Sequence, residues 1–270
     1  MRSIMSVLRI STLVLLFGCG GGEESGGGGG GGGTENPNIA GNWQVSMSST
    51  ASGISPMTLA GSITQLGSSV NGTVHIDGSN CFDGLTSVEL TGTLTGSNVS
   101  LTSTSVDGQV LALTGRVTTG SLSGSYNISG GCANGDLGTI AGFKLPAFSG
   151  RWRSGFQLNF DENSYGQAMV SQDSAGPEGS FGISGSVDDS SNFSCFTGTI
   201  TSGTFPFPSF ILGTSVNLEI KTDDGTLVFL GTMSQDGSEI IGTHHIVGGK
   251  CDGFSGQGCF GRDFRSLCRL

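Results

Sequence analysis

The chain has 270 residues, of which only 12% are charged, and its 21 acidic residues against 11 basic ones leave a net charge of −10. An acidic surface repels polyanions, which excludes nucleic acid as a partner and electrostatic adsorption to anionic lipid. The 50 glycines, set among serine, threonine and apolar residues that recur with a period of two, exclude a helical protein and predict many short strands.

Residues 1–18 read as an export leader. Arg2 and Arg9 supply the positive start, Ile10 to Phe17 form a short apolar run, and small Gly18 follows. The run falls far below the ~20 residues of a membrane-spanning helix. Removing the leader takes away two positive charges and lowers the net charge from −10 to −12. The run ends in Leu16-Phe17-Gly18-Cys19, which resembles the lipobox of bacterial lipoproteins. The resemblance implies cleavage before Cys19 and lipids, palmitate among them, on that cysteine. With Gly20 next, it also implies delivery to the outer membrane. Each buried methylene contributes ~0.8 kcal/mol, so several acyl chains hold a protein essentially permanently.

Residues 19–39 are mostly glycine. Such a segment buries too little apolar surface to offset its ordering entropy and is expected to be a flexible tether spanning ~25 Å. It is not a phosphate-binding loop, because no strand precedes it and no Lys-Ser/Thr follows.

Residues 40–147 are expected to form a first β repeat. Strands are predicted at Gly41–Met47, Met57–Ile63, Ser69–Ile76, Ser87–Leu94, Asn98–Thr102, Gln109–Val117, Ser121–Ile128 and Leu137–Leu145. Asp107-Gly108 between two alternating runs is a hairpin signal. Eight short strands in sequential order fit an antiparallel up-and-down barrel or a curved meander, since closure removes exposed edges.

Residues 148–270 repeat this order. Gly150-Arg-Trp152 answers Gly41-Asn-Trp43, Ile183–Val187 answers Val70–Val74, and Cys195-Phe196 answers Cys81-Phe82. Asp224-Gly225 matches Asp107-Gly108, Leu230-Gly231 matches Leu113-Thr-Gly115 one residue shorter, and Cys251 matches Cys132. The chain is therefore read as an all-β protein of two tandem barrel-like repeats, either two barrels or one fused sheet system. The Gly-x-Trp openings, with Trp43 and Trp152, resemble those of calycins, the lipocalin and avidin group. That resemblance implies up-and-down barrels closed at one end by the tryptophan, with a small hydrophobic ligand as a candidate partner. A core tryptophan of another β architecture is the alternative.

Beyond Cys19 there are six cysteines, which allow fifteen pairings. The duplication selects Cys81–Cys132 and Cys195–Cys251, leaving Cys259–Cys268 to tie down the C-terminal tail. A loop of about 50 residues gains ~4 kcal/mol on the chain-entropy model. Cys251 and Cys259 have no histidine close by, which argues against zinc.

No catalytic constellation emerges, and no metal or cofactor is expected. Adjacent His244 and His245 point to opposite faces of a strand. His75 and His244 read as polar strand residues. Asp188-Asp189 and Asp223-Asp224 are placed at turns. The loop Phe205-Pro-Phe207-Pro-Ser-Phe210 is unique to the second repeat and is either a binding lip or packing against the first. Candidate binding residues are Trp43, Trp152, Phe205, Phe207 and Phe210. The expected function is a non-enzymatic, lipid-anchored component of the bacterial cell envelope with a binding or surface-structural role toward an envelope component. A barrel holding a small hydrophobic ligand and a hydrolase of envelope polysaccharide, with paired carboxylates, are the alternatives. The oligomeric state does not follow from the sequence.

Overall fold

The computed structural model describes residues 36–82, 84–159, 162–189, 194–203, 205–206 and 208–262. The first barrel has strands β1 (Gly41–Ser49), β2 (Met57–Leu66), β3 (Ser69–Asp77), β4 (Val88–Thr95), β5 (Asn98–Ser103), β6 (Val110–Val117), β7 (Ser121–Ser129) and β8 (Leu137–Leu145). Consecutive strands pair antiparallel, and β8 returns to β1 with Ile140 opposite Met47, which closes the barrel. The turn between Val106 and Gln109 holds Asp107 at φ 51° and Gly108 at φ 77°. These positive angles suit the right-handed twist of a hairpin, and Asp and Gly tolerate them.

The second barrel has β9 (Gly150–Asn159), β10 (Glu162–Ala175), β11 (Phe181–Asp189), β12 (Gly198–Ile200), β13 (Phe210–Leu212), β14 (Ser215–Thr222), β15 (Gly225–Met233), β16 (Glu239–Val247) and β17 (Ser255–Gly261). It closes through the β17–β9, β9–β10 and β10–β11 pairings. Short β12 and β13 both lie between β11 and β14, so together they fill the place that β4 fills in the first barrel. The Phe-Pro loop falls in the break between them. Proline lacks the N–H a ladder needs, so this insertion interrupts one stave and leaves its neighbours paired. The strands form two separate sheets, which makes the architecture two barrels and not one fused sheet system.

Register corrects three sequence readings. Leu113 faces Tyr126, while Phe229 faces His244, so Phe229 answers Leu113. Leu230 points outward and is 51% exposed. The β15 strand is thus not shortened, and the missing residue lies in the turn before it. Asp188 and Asp189 belong to β11, with Asp188 opposite Gln167, because the strand continues further than its apolar residues suggest. In the second barrel the turn corresponding to Asp107-Gly108 is Asp223-Asp224, since Thr222 pairs with Gly225.

Each barrel encloses its own core. In β5, Val99 and Leu101 are buried while Asn98, Ser100 and Thr102 are exposed. Most large apolar residues face inward and most outward positions are polar, the reverse of a transmembrane barrel with its lipid-facing apolar band, while Met169, Leu230 and Ile241 are exposed on the second barrel. Burying a large apolar side chain contributes roughly 1.5–3 kcal/mol, and Trp43, Leu90, Leu94 and Ile128 all do so in the first barrel.

Candidate functional site

The barrel interiors are filled. In the first barrel, Trp43 Nε1 donates to the Ile39 carbonyl at 2.7 Å, and the Ile39 N–H donates to Gln65 Oε1 at 2.8 Å. Gly96 N donates to Asn36 Oδ1 at 2.8 Å. Residues 36–39 thereby close the end of the barrel where the β2–β3 and β4–β5 turns lie. Behind them is an apolar cavity of about 30 Å³ beside Trp43, Leu101 and Leu113. Ligand pockets typically measure roughly 300–1,000 Å³. In the second barrel Trp152 is 1% exposed, with Phe148 edge-on at 4.7 Å and the Arg262 guanidinium 4.6 Å above its ring. Phe156 stacks on Phe196 at 5.1 Å and meets Phe229 and Phe260 edge-on. Both tryptophans are therefore core residues.

The opposite ends of the two barrels diverge. In the first, buried Tyr126 donates its hydroxyl to Asp136 Oδ2 at 3.0 Å, and Ser49 donates to Asp136 Oδ1 at 2.6 Å. Burial first, and then the neighbouring Asp136 carboxylate, push the Tyr126 hydroxyl up to about 12. In the second barrel the same ladder position holds His244, 2% exposed, with Nδ1 3.1 Å from the Gln257 carbonyl. That carbonyl can only accept, so Nδ1 carries the proton. Nε2 is buried without a partner among the described residues, and the ring makes T-shaped contacts with Phe156 and Phe196. Burial pushes this imidazole down to about 4, with His245 adding to the effect and the Gln257 hydrogen bond opposing it.

The disulfides sit at these same ends. Cys81–Cys132 joins the β3–β4 and β7–β8 loops, and Cys195–Cys251 joins the equivalent loops of the second barrel, over sequence separations of 51 and 56. At the first barrel, the loops around Ile54, Asn80 and Asn134 enclose a cleft of about 490 Å³ beside the Cys81–Cys132 bridge, with Asp136 in its wall.

A second feature is the junction between barrels, which belong to one compact unit, Glu35–Leu270. Asn42 Nδ2 donates to the Gly213 carbonyl at 2.8 Å, and Gly213 N donates back to Asn42 Oδ1 at 2.9 Å. Thr214 N donates to Gln44 Oε1 at 3.1 Å. His75 is 3% exposed, with Nδ1 3.2 Å from the Gly84 carbonyl and Nε2 3.0 Å from the Glu178 carbonyl of the second barrel. The Phe205 ring lies 4.6 Å from the His75 ring and 5.3 Å from Phe210. Gly179, at φ 74°, lies against the Thr73 carbonyl, where any Cβ would overlap.

The structure thus places Phe205 and Phe210 at the junction and Trp43 and Trp152 in separate cores. Phe207, Cys19 and Cys268 lie outside the described residues, as do the leader and tether through residue 35, and with Cys268 the expected Cys259–Cys268 bridge. Sequence reasoning missed Ser49, Asp136 and Asn42. Asp136 holds the place of Phe254 in the second repeat: Ile128 N donates to the Asp136 carbonyl as Ile246 N does to that of Phe254.

No protein-family model matches the chain, and no curated protein does. Among solved structures, a porin-like protein from Bacteroides uniformis is similar over 84% of this chain and 97% of its own, at 11% identity and a TM-score of 0.18. A score that low carries no argument about fold or function.

Proposed function

We propose that this chain is a lipid-anchored protein of the bacterial cell envelope, held at the outer membrane through Cys19, and that its two barrels form a non-enzymatic head with a binding or surface-structural role. The observation that carries the reading is the filled interior of both barrels. The cavity beside Trp43 is about 30 Å³, close to the volume of one water molecule, so contacts with other molecules fall to the outer surfaces and the loop-bearing ends. The polar outward faces support a water-facing head. The leader, Cys19 and the Gly-rich tether support the anchor.

The test is labelling with a palmitate analogue in a bacterial host, followed by membrane fractionation. The parent chain is expected to take up label and sediment with membranes, and Cys19→Ser to lose both. A Cys19→Ser chain that stays membrane-bound and resists release would overturn the anchor. Native mass spectrometry of the purified head is expected to give the mass of the polypeptide alone, and a reproducible copurified apolar molecule would favour a hydrophobic ligand instead.

A further inference from the structure

We propose that the cleft at the disulfide-bearing end of the first barrel is a binding site for neutral, hydroxyl-rich ligands of the glycan class. This inference deepens the binding role proposed above and rests on it. Its volume of about 490 Å³ falls within the ordinary range of ligand pockets. Three loops form it, those following β1, β3 and β7, and one of them is fixed to another by Cys81–Cys132. The site is therefore held in shape before a ligand arrives, which lowers the ordering cost of binding.

The chemistry of the lining selects the ligand class. Ser55, Asn80 and Asn134 offer hydroxyl and amide groups that donate and accept, and Asp136 offers a carboxylate. Among the described residues no lysine, arginine or histidine lines the cleft to balance a phosphate, sulfate or carboxylate ligand, and Asp136 repels one. Ile54, 45% exposed, provides an apolar surface for the C–H face of a sugar ring.

Asp136 is prepared for this task. Ser49 and Tyr126 each donate to one of its oxygens, at 2.6 and 3.0 Å, and orient the group. An ionised carboxylate has about four acceptor positions, so about two remain for ligand hydroxyls. Ser49 Oγ also accepts from Ala51 N at 3.0 Å, which ties the wall-forming loop to the same network.

The second barrel is an internal control. It closes with the same strand order, yet Phe254 stands in the place of Asp136 and His244 in the place of Tyr126. Only residues 160–161 separate β9 from β10, whereas residues 50–56 separate β1 from β2 and form one wall of the cleft. Barrel closure therefore does not require the carboxylate network or the extended loop. The cleft also lies at the end of the barrel opposite residues 36–39, so the described N-terminal segment leaves it open.

The test uses the full-length chain against immobilised short neutral oligosaccharides (glucose, mannose, galactose and N-acetylglucosamine series), with sulfated counterparts as controls. At least one neutral series is expected to bind, and no sulfated counterpart to bind better. Asp136→Asn and Asn80→Ala are each expected to weaken binding about tenfold or more, as loss of one hydrogen bond to a ligand does. Asn80 is exposed, so its variant retains the fold and keeps the test decisive if Asp136→Asn unfolds. No binding to any neutral series, a preference for the sulfated ones, or binding unchanged by Asn80→Ala would overturn the proposal. Cys19→Ser is expected to bind as the parent does. A failed anchor is thus read in the membrane fraction, and a failed cleft in the binding assay.

Discussion

Asn42 of the first barrel and Gly213 of the second exchange two buried hydrogen bonds, so that one side-chain amide pairs with both polar groups of a backbone position. The arrangement imitates a rung of a β-ladder across the junction. Neither Gly213 group has access to water, so the barrels cannot separate without exposing them. Asn42→Ala would leave a donor and an acceptor unpaired, at about 1–3 kcal/mol each. We expect a stability loss of about 2–6 kcal/mol. Trp43 and Trp152 report one barrel each, and in denaturant their two transitions, coincident in the parent, should come apart in the variant. An unchanged midpoint would show that the junction contributes nothing to stability.

His244 makes stability depend on pH in a defined window. The unfolded imidazole takes a proton near pH ~6.5, and the folded one, desolvated by burial, near pH 4. Between these values the unfolded state holds more protons, so stability falls as pH drops through the window. The full loss by about pH 4 amounts to ~3 kcal/mol, with no contribution above pH ~7. Carboxylates titrate in the same range, so the measurement is the difference between parent and His244→Phe. The variant should show the flatter pH profile between 7 and 4, and equal slopes would refute the assignment.

Tyr126 is one of only two tyrosines, which makes its titration readable by absorbance. One phenol is expected to ionise only near pH 12, raised by burial and by Asp136. Asp136→Asn should bring that late step down while leaving the part due to burial. If the late step is unmoved, Asp136 does not interact with Tyr126 in solution.

Cys81–Cys132 closes a loop of 51 residues. Replacing both cysteines with alanine is expected to cost ~4 kcal/mol, the chain-entropy estimate for such a loop. The same variant should lose glycan binding, because the loops around Asn80 and Asn134 are no longer held together. Retained binding with reduced stability would separate the bridge from the site.

Much of the fold was legible because its signals are local. Val99-Ser-Leu101 alternates, Asp107-Gly108 turns, and a strand with one apolar face must bury it. Repetition then added what a single strand could not. Matching cysteines in two repeats selected Cys81–Cys132 and Cys195–Cys251. The same comparison misplaced Leu113, because a gap inside β15 looked as good as a gap in the preceding turn. Only the β15–β16 register, with Phe229 opposite His244, decided between them. Asp136 went unread because it looks like an ordinary loop carboxylate until Tyr126 and Ser49 are seen to converge on it.

By itself, the sequence determined the strands of the first barrel, their sequential antiparallel pairing, the duplication and the Cys81–Cys132 and Cys195–Cys251 partners, since each follows from period, turn chemistry and spacing along the chain. Tertiary structure alone decided which polar residues are buried. Asn42 and His75 lie on strands as outward-facing polar residues, and they become interior only because the second barrel docks there. The cleft was decided in the same way. Its walls come from loops after three different strands, and their approach depends on barrel closure, a long-range event that no local pattern encodes.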